Sequence, residues 1–228
     1  MTIPFTSELE SPLGVSDWYL LVLIISFLLS LFVMGPYKAS YKDGLSVMFR
    51  FSSPDSDIRY PEYSPFEKIL VVLFSCADMG LGLSLVLFGP GEPEENVLSD
   101  FFKASVWPLF FFALRFFLYQ IVNTHLYRSQ AIMLKTSRWN SFFIMVFSAS
   151  GFCVLVLTSV VLFLKMPSLV LVICMSFLVL LAEIGLNFKI KTSLFKNKCS
   201  NTRFISYLCA LELGPIILMS VLLGVFYS

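Results

Sequence analysis

Residues 69–88 read ILVVLFSCADMGLGLSLVLF, twenty positions that carry one charge, Asp78, and stop at Gly89 and Pro90. A hydrocarbon core about 30 Å thick is crossed by roughly 20 apolar residues in a helix, so this stretch predicts a membrane-spanning helix. Glycine and proline immediately after it supply the stop.

Working outward, five more runs of comparable length and apolarity follow the same rule: 18–35, 104–124, 141–164, 168–188 and 204–226. Pro36 ends the first, and Pro167 divides the fourth from the fifth. Only Lys165, Met166 and Pro167 separate those two. They predict a tight helical hairpin; the competing reading is one span plus a re-entrant segment, which gives five spans rather than six. The expected fold is thus an all-α membrane protein, a six-helix transmembrane bundle forming a single domain over 1–228.

Composition agrees. Hydrophobic residues make up 57% of the 228-residue chain and charged residues 14%, with a mean hydropathy of +0.84, values that require lipid as solvent. A net charge of +1 provides no basic field, so nucleic acid is excluded as a partner. Cys76, Cys153, Cys174 and Cys209 fall inside apolar runs and only Cys199 in a loop, a pattern unsuited to a disulfide framework or a metal cluster. His125 is the single histidine. No cofactor or metal is expected.

Orientation follows from the basic residues. Lys38, Lys42, Arg50, Arg59, Lys68, Arg128, Lys135, Arg138, Lys189, Lys191, Lys196, Lys198 and Arg203 fall on one side, against Lys103 and Lys165 on the other. Thirteen against two makes the first side cytoplasmic and both termini non-cytoplasmic, N-out and C-out. The first seventeen residues hold Glu8, Glu10 and Asp17 but no Lys or Arg, which reads as a translocated tail before a retained helix rather than a secretory signal. Trp18, Trp107 and Trp139 stand near expected helix ends, where indole rings favour the headgroup region.

The longest loop, 36–68, divides in two. Leu45, Met48 and Phe49 share one helical face beside Lys42 and Arg50, as in a helix lying on the membrane. Pro54, Pro61 and Pro65 then break regular structure.

Four ionisable residues lie at membrane depth: Asp78, Arg115, Glu183 and Glu212. Each costs roughly 2.5 to 3.5 kcal/mol even on a lenient insertion scale, so each needs a partner, water or a purpose. Counted from the cytoplasmic end of each run, Asp78, Arg115 and Glu212 share a level, and Glu183 lies about one turn nearer the cytoplasm. A common level suggests one polar cluster, supported by Tyr119 one turn beyond Arg115. The simplest pairing joins Asp78 to Arg115 on sequence-adjacent helices, leaving the other two acids protonated. Gly80 and Gly82 let a neighbouring helix approach closely, and Gly214 with Pro215 predicts a helix break beside Glu212.

The nine residues YLCALELGP at 207–215 resemble the closing signature of an uncharacterised family of multi-pass membrane proteins of Bacteroidetes, in which a tyrosine and a cysteine precede an apolar-glutamate-apolar step and a proline. Gly214 stands where that pattern carries a larger apolar residue. The resemblance implies a bacterial inner-membrane location with periplasmic termini and directs attention to Glu212 and Pro215. It carries no activity.

Metalloprotease, serine-hydrolase, nucleotide-binding and CxxC motifs are absent from the sequence. Two function classes fit. The first is a non-catalytic membrane subunit or scaffold, whose partners are the bilayer and a membrane protein or further copies of itself. The second is a small transporter or proton-coupled carrier working through the charge cluster. An acid–base enzyme acting on lipid through Glu212 and Asp78 ranks third.

Overall fold

The computed structural model describes residues 17–37, 41–42, 63–88, 94–125 and 137–194. These hold five long helices: α1 (Asp17–Met34), continued by a 3-10 turn (Gly35–Tyr37), α2 (Pro65–Phe88), α3 (Glu94–His125), α4 (Ser137–Phe163) and α5 (Ser168–Leu194). Each contains a stretch long and apolar enough to cross a membrane, so the protein is membrane-embedded, and its described residues form an all-helical structure. The expected sixth run at 204–226, with Glu212 and Pro215, the 207–215 signature, Cys199 and the surface helix around Leu45–Phe49 all lie outside the described residues.

The stretch that decides the fold is also its centre. α2 packs most heavily on α3 and α4 and reaches α1 and α5 as well. Its small residues make this possible. A methyl group at Gly80 would come within 2.7 Å of the Ser105 Cα on α3. One at Gly151 on α4 would come within 2.9 Å of the Ser75 carbonyl oxygen on α2. In lipid, where no hydrophobic effect drives helices together, this close backbone approach supplies the packing energy.

Two cores result. Near the loop end of α2, Val71 packs with Phe112, Phe142, Phe143, Met145 and Leu186. At the opposite end, Tyr19 and Leu23 of α1 join Leu81, Leu85, Leu155, Leu162 and Leu171. Outward faces are apolar too. Ile24, Leu28 and Phe32 on α1, and Leu169, Ile173, Phe177, Leu180 and Ile184 on α5, are exposed at near-helical spacing, Phe32 by 80%. Such stripes would aggregate in water and suit lipid.

Several boundaries extend past the apolar runs. α2 begins at Pro65 rather than residue 69, because Ser64 and Glu67 form a capping box. The Ser64 backbone N–H donates to Glu67 Oε2 at 2.6 Å and the Glu67 N–H donates to Ser64 Oγ at 3.3 Å. α3 starts at Glu94 rather than 104 and continues through Pro108. That extension places Trp107 well inside the helix instead of at its end. α5 runs on to Leu194.

The fourth and fifth runs are separate helices. Lys165 adopts a left-handed φ of 50°, its N–H donates to the Leu162 carbonyl, and the Met166 N–H donates to the Val161 carbonyl. This is a Schellman turn with lysine where glycine is usual. Pro167 then starts the return.

Candidate functional site

The described intramembrane charges divide between two places. Arg115 on α3 meets Glu183 on α5 through a two-pronged pair, Nη1 to Oε1 and Nη2 to Oε2, the latter at 2.6 Å. Both residues are buried, with 4% and 9% of their surface exposed. Aromatic rings wall in the guanidinium, its Cζ lying 5.5 Å from the ring centre of Phe143, 5.8 Å from Tyr119 and 5.9 Å from Phe111. Planar delocalised charge suits such stacking, and the fork matches the carboxylate.

Arg115 therefore pairs with Glu183, not with Asp78 as the sequence suggested. The reason is length and rotation. Because α5 continues to Leu194, Glu183 is eleven residues from its helix end while Arg115 is ten from His125, so the two are level. Arg115 looks across the side of the bundle where α3 faces α5. The Tyr119 ring flanks the guanidinium and stands edge-on to Phe143 at 5.5 Å.

Around this pair lies a cavity of about 270 Å³. Met79 and Leu83 of α2, Trp107 and Phe112 of α3, Phe147 of α4 and Met175 of α5 are among its lining residues, with Arg115 and Glu183 its charged ones. Such a space suits apolar matter rather than a hydrated solute.

Asp78 occupies a different setting, on the face of α2 turned to α1 and α4. Its Oδ2 accepts a 2.6 Å hydrogen bond from Ser30 Oγ, it is 2% exposed, and its Oδ1 has no partner among the described residues. Beside it is a cavity of about 10 Å³ that Ser30, Ser75, Asp78 and Ser148 help to line. Beyond Ser148 runs a chain of hydroxyls. Tyr63 donates to Tyr41 at 2.8 Å, and Tyr41 bonds Ser148 at 2.5 Å. Since Ser148 gives its own proton to the Met145 carbonyl, Tyr41 is the donor there. Burial pushes both phenol hydroxyls above their ordinary range.

Ser30, Tyr41, Tyr63 and Ser148 did not stand out in the sequence. A signal existed for Ser30: Tyr19, Leu23, Ser26 and Ser30 fall on one face of an otherwise Leu-, Ile- and Phe-rich helix, and all four are buried. The tyrosines have no such periodic mark. No group of His, Cys, Asp or Glu able to hold a metal occurs among the described residues.

No curated protein and no solved structure gives a significant match to this chain. One family model spans nearly all of it, residues 19–223, and on that match the chain belongs to the family described as Domain of unknown function (DUF4271).

Proposed function

We propose that the protein is a six-span bacterial inner-membrane protein with both termini in the periplasm, acting as a non-catalytic membrane subunit or scaffold that binds another membrane protein or further copies of itself. The observation that carries this reading is the burial of Arg115 and Glu183: a two-pronged ion pair, packed against aromatic rings beside a largely apolar cavity, that fastens α3 to α5. A carrier using these charges needs them beside a hydrated path, whereas the rest of the cavity that they line is almost entirely apolar. The thirteen-to-two distribution of basic residues supports the orientation, the run at 204–226 supports the sixth span, and the 207–215 resemblance supports the bacterial inner membrane. Lipid-facing stripes on α1 and α5 leave apolar surface for a partner.

The test is extraction from native membranes in mild detergent followed by sizing and mass analysis, with the same purified chain reconstituted alone in vesicles. A stoichiometric complex, hetero- or homo-oligomeric, and no solute or proton flux by the chain alone are the expected results. Flux by the purified chain, abolished by Glu212→Gln in a variant that still folds, would overturn the reading in favour of a carrier.

A further inference from the structure

Asp78 is set apart from the charge pair, and its surroundings are one-sided in hydrogen-bonding capacity. Ser30 Oγ donates to Asp78 Oδ2, Ser75 Oγ donates to the Val71 carbonyl at 2.6 Å, and Ser148 Oγ donates to the Met145 carbonyl at 3.0 Å. Every hydroxyl proton of the three serines is thus committed. What they retain is acceptor capacity, and Asp78 Oδ1, buried and unpartnered among the described residues, adds to it. Among the described residues no cation faces this carboxyl: α1 offers Ser30 and α4 offers Ser148, with Tyr41 behind it and Cys76 on Asp78's own helix, while Arg115 is bound to Glu183. The small cavity here, about 10 Å³, is of the size that holds one water.

We infer that this cavity is a proton-binding site, in which Asp78 carries a proton on Oδ1 and donates it to one buried water, connected to the loop side of the membrane by the hydroxyls of Ser148, Tyr41 and Tyr63. The balance is complete. The water accepts from Asp78 and donates its two protons to lone pairs of the surrounding serines, so each buried polar group is satisfied. Exchange proceeds by rotation of the Ser148 hydroxyl from the Met145 carbonyl to the water. With Asp78 ionised, a proton taken up at Tyr63 is balanced by one proton handed on at each step, Tyr63 to Tyr41, Tyr41 to Ser148, Ser148 to the water and the water to Asp78 Oδ1, so that Asp78 alone gains a proton. Release runs the same steps in reverse, with every hydroxyl turned about, and Asp78 alone loses one. The chain already points the right way, because Tyr63 donates to Tyr41 and Tyr41 to Ser148. Beyond Asp78 the core of Leu81, Leu85, Leu155 and Leu162 fills the other half of the bundle, so the site opens to one side only. It stores and exchanges a proton without conducting one, and does not depend on the scaffold reading.

Infrared difference spectroscopy of the full chain in vesicles tests this. A protonated carboxyl band is expected at neutral pH, shifting in deuterated water and missing from Asp78→Asn. In Tyr41→Phe and Tyr63→Phe the band should persist while its hydrogen–deuterium exchange slows by at least about tenfold, since positioned proton carriers contribute rate factors of that size or more. Tyr19→Phe, which removes a hydroxyl from the other core, should leave the exchange unchanged. A missing band in the wild type would overturn the inference, and one that disappears when sodium is added would overturn it in favour of a metal cation. Unaltered exchange in both tyrosine variants would overturn the relay.

Discussion

Removing one member of the Arg115–Glu183 pair should cost more than removing both. Arg115→Met leaves the Glu183 carboxylate, 9% exposed, against an apolar wall, and Glu183→Leu leaves a guanidinium that stays charged among three rings. Stranding either charge costs about 3 to 5 kcal/mol, whereas replacing a buried pair with apolar side chains of similar size is often neutral. Both variants also lose the two-pronged hydrogen bond. The double variant Arg115→Met with Glu183→Leu should therefore be more stable than either single one, with a coupling of at least about 3 kcal/mol. Reversible unfolding in mixed micelles, followed by circular dichroism as denaturing detergent is added, measures the whole cycle. Asp78→Asn serves as the control: it lies in a separate pocket, so its loss should add to that of Arg115→Met within about 0.5 kcal/mol. Additive losses at 115 and 183, or strong coupling between 78 and 115, would refute the pairing.

Other expectations concern the helix contacts and ends. Gly151→Ala, whose added carbon meets the Ser75 backbone, should destabilise by about 1 to 3 kcal/mol in the same assay, because the obstacle is main chain and cannot rotate away. Lys165→Gly should raise stability by up to about 1 kcal/mol, relieving a left-handed conformation that costs a lysine and not a glycine. Ser64→Ala should cost about 1 kcal/mol and fray the first turn of α2, read as faster amide exchange there. In an alkaline absorbance titration, Tyr41 and Tyr63 should ionise later than ordinary phenols. Because the folded values are raised, their contribution to stability is complete below about pH 10 and is lost as pH climbs through the folded values.

The first five spans were legible because lipid demands about twenty apolar residues per crossing, and nothing else in a chain this size makes runs such as 69–88. Helix ends were less so. Backbone hydrogen bonding carries α3 back to Glu94 and α5 on to Leu194 through polar sequence, where apolarity gives no guide. Ser64–Glu67 could have been read as a capping box; its spacing is a sequence-level sign. Those ends had a consequence for the charges. Judged from the apolar run alone, Glu183 fell a turn away from Arg115, and Asp78 on the adjacent helix became the nearer partner. Rotation of each helix about its axis decides such pairings, and it is set by contacts such as Gly80 on Ser105 and Gly151 on Ser75. The Tyr63–Tyr41–Ser148 chain joins residues up to 107 positions apart and leaves no local pattern to read.

The most direct test of the scaffold reading exchanges the two charges. Arg115→Glu combined with Glu183→Arg keeps one cation and one anion at the same junction of α3 and α5, while moving each to the other helix. If the pair only fastens the bundle, each single reversal should abolish folded yield, and the exchanged protein should recover it together with its native complex. An exchanged protein that folds fully yet loses its partners, or loses the ability to complement a deletion strain, would show that these charges do more than hold helices together and would contradict the account.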